Sequence, residues 1–146
     1  MAENCLQASY FFGLIMPSLQ VSQDLHIHFD KVDYLDPWAD KPVLILQHGN
    51  GRSSEFWYRW MPRLVEHFVV IRPDMRGVGK SNRVNNLRED ISVEKCVQDL
   101  VQLIQSQSSG PVYFCGESMG GILGIALASQ YPSLIKKLIL VATPVY

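Results

Sequence analysis

The chain has 146 residues and a mass of 16.6 kDa, with 47% hydrophobic and 18% charged residues and a formal net charge of −1. That composition excludes intrinsic disorder as the main state, and a pI of about 6.4 speaks against a nucleic-acid binder or an electrostatic membrane anchor. No apolar run approaches the about 20 residues that a membrane-spanning helix needs.

The first 20 residues have no clean hydrophobic period and read as a loosely attached extension, leaving one domain over residues 21–146. The apolar stretch 10–16 is short, and Glu3 with no Lys or Arg before it makes a poor signal-peptide start, so a cytoplasmic location is expected. The three cysteines, Cys5, Cys96 and Cys115, form no CxxC pair, which argues against a thiolate zinc site and fits a reducing compartment. Cys96 and Cys115 lie in apolar patterns and read as small buried hydrophobes.

Leu25, Ile27 and Phe29 alternate with His26, His28 and Asp30, the pattern of a half-buried strand with both histidines on a solvated face. Residues 33–42 hold an Asp-Pro pair, Asp40 and Pro42 and read as a turn. From there the apolar runs are continuous, at 43–47, 68–71, 112–115 and 138–141, as in strands buried on both faces of a parallel sheet. Helical patterns separate them. One spans 55–66, with Phe56, Trp57, Trp60, Met61 and Leu64 on roughly one face. The next follows Ser92 as N-cap, with Val93, Val97, Leu100, Val101 and Ile104 at helical spacing. The last covers 119–130 and stops before Pro132. This alternation predicts an α/β fold with a mostly parallel sheet and flanking helices.

Gly116-Glu117-Ser118-Met119-Gly120 has the form G-x-S-x-G, with Gly121 next, and sits directly between a predicted strand and a predicted helix. A serine on such a turn projects its hydroxyl at the carboxyl end of a parallel strand, where the free N–H groups of the helix start can receive a developing oxyanion. Gly116 and Gly120 allow the sharp turn. The plain alternative is a tight turn whose serine only caps the helix, but the motif does not stand alone. Gln47-His48-Gly49-Asn50-Gly51 ends the strand at 43–47, a loop able to aim a backbone N–H at the same site, with His48 read as a loop brace. Pro73-Asp74-Met75-Arg76-Gly77-Val78-Gly79-Lys80-Ser81 lacks both the Walker and the dinucleotide spacing, so Asp74 reads as a loop organiser paired with Arg76 or a nearby backbone N–H.

Taken in order, His48-Gly49, Asp74-x-Arg76-Gly77-x-Gly79-x-Ser81 and Gly116-x-Ser118-x-Gly120-Gly121 resemble the N-terminal part of the α/β-hydrolase superfamily, over roughly residues 25–146. The resemblance implies Ser118 as nucleophile and an oxyanion hole of the Met119 N–H with that of Asn50, or its neighbour Gly51. It implies support of the loop and elbow by His48, Gly49, Gly116 and Gly120, a small-molecule acyl substrate, and neither metal nor cofactor. Relatives with Asn after His-Gly include haloalkane dehalogenases, whose nucleophile is Asp, whereas Ser118 stands there here. In this superfamily the acid and then the histidine follow the serine. Residues 119–146 contain no Asp, Glu or His. The chain is therefore expected to be the fold truncated after about its sixth strand, 138–141, inactive alone as an ester, lactone or related acyl hydrolase, and prone to self-association through that open edge. The rival expectation is a non-catalytic module of the same fold that binds a small ligand or a protein.

Overall fold

The computed structural model describes residues 10–11, 14–15 and 17–144. Most of the expected N-terminal extension, including Glu3 and Cys5, lies outside the described residues. Within it, β1 (Tyr10–Phe11) pairs antiparallel with β2 (Leu14–Ile15). β3 (Ser18–Ser22) pairs antiparallel with β4 (Leu25–Val32), so the boundary expected after residue 20 falls inside a strand.

The sheet that organises the molecule has six strands in the order β3-β4-β6-β5-β7-β8, with β5 at Val43–Gln47, β6 at Val69–Pro73, β7 at Val112–Glu117 and β8 at Ile135–Val141. β4 runs antiparallel to β6, while β6, β5, β7 and β8 are mutually parallel neighbours. The continuous apolar runs follow from cover on both faces. Ile45, Ile71, Val112 and Phe114 point to one side, into a core with α3 (Val93–Gln107) and Leu123 and Leu127 of α4 (Met119–Gln130). Leu44, Leu46, Val70 and Cys115 point to the other, against Trp57. β8 has a sheet neighbour on one side only among the described residues, and Ile139 and Leu140 are 47% and 40% exposed there.

α3 starts where the sequence places it: the Ser92 side chain accepts the Lys95 N–H at 3.2 Å, a side-chain N-cap. Two expectations differ. The single helix over 55–66 is instead a 3₁₀ helix, Ser54–Trp60, followed by the short α1, Met61–Leu64. Pro62 has no N–H to give Tyr58, and the aromatic run 56–60 is a poor helix former, so a continuous α-helix is interrupted there. His28 was expected to be solvated and is buried, while His26 is half-buried. The loop after β6 runs along the main chain of β4 at these residues. The His28 N–H donates to Ser81 Oγ at 2.9 Å, the Asp74 N–H to His28 O at 2.9 Å, and the Asn82 N–H to His26 O at 3.1 Å.

Between β6 and α3 the short α2 (Leu87–Asp90) completes the crossover. Both Cys96 and Cys115 are buried thiols pushed up to about 11 by desolvation, which keeps them protonated and unreactive. No described helix is long and apolar enough to cross a membrane.

Phe114 is fully buried between β7 and the helices. Phe114→Ala is expected to cost about 3–5 kcal/mol in a denaturant-unfolding experiment, and a loss below about 1 kcal/mol would contradict a tightly packed two-sided sheet.

Candidate active site

The carboxyl ends of β5 and β7 lie side by side, with Gln47 in register with Gly116, and the loops that leave them meet. β7 turns into α4 at Ser118, whose backbone sits at φ 51° and ψ −115°. A non-glycine residue at positive φ holds on the order of 1–3 kcal/mol of strain and persists only where its surroundings over-determine it. Here the Ser118 N–H donates to Val141 O of β8 at 2.9 Å, and Ser118 O accepts the N–H groups of Gly121 and Ile122 at 3.0 and 3.2 Å. The turn is tight because two backbones touch. A Cβ on Gly116 would strike the Gly120 carbonyl, and one on Gly120 would strike the Gln47 carbonyl. Only glycine fits at either point. Met119 and Gly120 open α4, and their N–H groups have no intrahelical acceptor.

The loop after β5 is pressed onto this elbow. A Cβ on Gly49 would come within 2.9 Å of Ser118 Cβ. His48 is fully buried beneath the loop. Its Nε2 accepts the Met75 N–H at 3.1 Å, so its proton is on Nδ1, which donates to Gly49 O at 2.8 Å. Burial pushes the imidazole below its ordinary value, and it stays neutral with both nitrogens engaged. Asn50 is exposed at the top of the turn, and Gly51 follows at φ 69°.

Asp74 ties the third loop, after β6, to the loop after β5. Its Oδ1 accepts the Ser54 N–H at 2.6 Å and its Oδ2 the Lys80 N–H at 2.8 Å. Of the two partners expected for it, the backbone N–H is the one found. Arg76 pairs elsewhere: its Nε and Nη2 donate to Asp99 Oδ2 and Oδ1 at 2.7 and 2.6 Å, a bidentate ion pair that pins the loop to α3. The Asp99 hydrogen bond holds the guanidinium above its ordinary value.

Two contributors were missed from sequence. Asp99 lies on the inward stripe of α3, between Cys96 and Leu103, and an acidic residue on such a stripe demands a partner. Glu117 is buried, its Oε2 accepting the Gly49 N–H at 2.9 Å, with Arg52 Nε 3.5 Å away. An ionisable residue ending an otherwise buried strand was the signal available. A cavity of about 10 Å³ lies between the sheet and α3, lined by Gln47, Asp74, Met75 and Asp99 among others. Ser118 does not line it, and it has room for about one water rather than a substrate. No group of three or more His, Cys, Asp or Glu among the described residues is placed to hold a metal.

Residues 42–146 match the family model described as alpha/beta hydrolase fold. The chain belongs to that family. Solved α/β-hydrolase-like structures superpose on it closely. A hydrolase from Pseudomonas aeruginosa PA01 gives a TM-score of 0.77 at 28% identity, covering 88% of this chain and 46% of that one. The enol-lactonase from Burkholderia xenovorans LB400 gives 0.73 at 25% identity, covering 84% and 45%. Among curated relatives, the RutD protein of Agrobacterium fabrum, whose name proposes carbamate hydrolysis, is 26% identical over 115 residues. That match covers 79% of this chain and 42% of the relative, so the α/β-hydrolase chain described here spans about two fifths of the relative's length.

The neutral, buried His48 links stability to pH. Its folded value lies below the ordinary 6.5, so the unfolded chain takes up the proton first. Its contribution is therefore fully present above pH ~6.5 and is lost as the pH falls through that value toward the folded one, with a slope of at most about 1.4 kcal/mol per pH unit. His48→Gln is expected to flatten the stability-versus-pH curve between pH 7 and 5. An unchanged slope in denaturant titrations of the variant would show that His48 is not the buried group responsible.

Proposed function

We propose that the protein is a serine hydrolase acting on a small carboxylic ester, lactone or related acyl bond, with Ser118 as nucleophile. The observation that carries this reading is the backbone of Ser118 at φ 51°, pinned between β7 and the open N-terminus of α4. Strain of that kind concentrates at functional sites, and a helix cap needs none of it.

In the proposed reaction Ser118 Oγ attacks the acyl carbon, and the carbonyl electrons move onto oxygen. That oxygen takes hydrogen bonds from the N–H groups of Met119 and Asn50, for which Gly51 is the neighbouring alternative to Asn50. Collapse breaks the bond to the leaving oxygen, which departs as the alcohol with the proton that Ser118 gave up, and leaves an acyl-serine, which water then hydrolyses. His48, Gly49, Gly116 and Gly120 hold the loop and elbow in place without touching substrate. No step calls on a metal or an organic cofactor.

The proton of Ser118 needs a base, and the groups gathered at the elbow do not supply one. Both nitrogens of His48 are engaged, and residues 119–146 contain no Asp, Glu or His. The present chain is accordingly read as holding the nucleophile and the anion-stabilising backbone, with turnover near background by itself. The relatives' names, an enol-lactonase and a carbamate hydrolase among them, are consistent with attack at an acyl carbon.

A fluorophosphonate probe tests the reading, because its capture needs only one attack by Ser118 beside the anion-stabilising N–H groups and no turnover. One slow, stoichiometric adduct at Ser118 is expected, and none in Ser118→Ala. Folded protein that takes no label, or label that survives the substitution, would overturn it.

A further inference from the structure

The peptide groups on either side of Gly49 are each held by a buried side chain. The 48–49 peptide is held at its N–H by Glu117 Oε2, at 2.9 Å. The 49–50 peptide is held at its carbonyl by His48 Nδ1, at 2.8 Å. In a trans peptide the N–H points opposite to the C=O, so the second bond fixes the direction of the Asn50 N–H. Gly49 has no side chain with which to pack, and its φ and ψ would otherwise be soft. Both planes must be held for Asn50 to keep its aim, and the long-range bond comes from the residue that immediately precedes Ser118. Glu117 is itself placed by its strand: it ends β7 in register with Val141 and is 7% exposed. Arg52 Nε lies 3.5 Å from the same oxygen, and the Arg52 guanidinium rests 4.3 Å over the Phe56 ring.

We infer that Glu117 is a positioning residue for the oxyanion donor: by accepting the Gly49 N–H it locks the loop to the elbow and, together with the His48 bond to the next peptide, holds the Asn50 N–H in place relative to Ser118. The inference rests on the reading of Ser118 as nucleophile. It touches neither substrate nor the reacting atoms, so its effect reaches the chemistry through Asn50. A displacement of about 1 Å in such a donor is worth up to about 100-fold in rate.

Two near-isosteric variants separate reach from charge. E117Q keeps an oxygen at the same distance and loses the charge, whereas E117D keeps the charge and withdraws the acceptor by one methylene. The rate of fluorophosphonate capture at Ser118 is measured for both, together with the Gly49 amide proton resonance and its hydrogen exchange. E117D is expected to slow capture about tenfold and to release the Gly49 amide, while E117Q stays within about threefold of the parent. The inference is overturned if the Gly49 amide is released and capture is unchanged, or if E117Q is as slow as E117D, which would put the effect on charge. Capture that persists in S118A removes the nucleophile reading and this inference with it. Capture lost in S118A but unaffected by E117D removes this inference alone.

Discussion

The contact on which the rest of this structure depends is between backbones. At Gly116, Gly120 and Gln47, a strand, a helix start and the end of a second strand approach until no Cβ fits between them. That closeness forces Ser118 into a positive φ. The strain is carried by neighbours on both sides: β8 accepts the Ser118 N–H through Val141, and the first turn of α4 closes on Ser118 O. The elbow therefore belongs to the sheet as a whole. Shifting the register of β8 against β7 would remove the acceptor that holds the serine's own N–H.

The loops around the elbow obey a different economy. Met75 and Val78 of the loop after β6 pack on the core, and beside them buried acceptors hold the loop backbones. Asp74 receives N–H groups from Ser54 and Lys80, His48 receives that of Met75, and Glu117 receives that of Gly49. Three of these bonds span 20 residues or more and the fourth closes the Asp74 loop on itself, and each satisfies a donor that a loop leaves open, which is costly to abandon in a dry environment. Polar side chains beneath the surface fix the backbone of the loops that meet at the elbow.

The parts legible in the sequence were those with a local signature. The apolar runs at 43–47 and 112–115 announce strands buried on both sides, and Gly116-x-Ser118-x-Gly120 announces its turn because the glycines and the serine lie together. What escaped was non-local. Glu117 and Gly49 are 68 residues apart, and Arg76 and Asp99 are 23 apart. Nothing in either segment alone names its partner. His28 shows the same limit for burial. Alternation correctly put it opposite Ile27 and Phe29, but periodicity reports which face a residue occupies and not what covers that face. The loop 74–82 docks on the His28 main chain, and its bonds through Ser81 and Asp74 could be seen only in the folded chain.

The two halves of acyl transfer place unequal demands on a fold. Stabilising an oxyanion needs donors that point the right way before the charge appears, and main-chain N–H groups at a helix start and a tight loop satisfy that need without any titratable side chain. Moving a proton needs a side chain whose pKa lies near the working pH and whose nitrogen is free to exchange. His48 does not meet the second need: both nitrogens are bonded, and its neutrality lets Nε2 accept from Met75 while Nδ1–H donates to the Gly49 carbonyl. The same ring could not act as a base without releasing the loop whose direction it sets. In the proposed reaction, anion stabilisation and proton transfer therefore fall to different residues. The first would be built from neighbours of the elbow, while the second would call for a group other than His48.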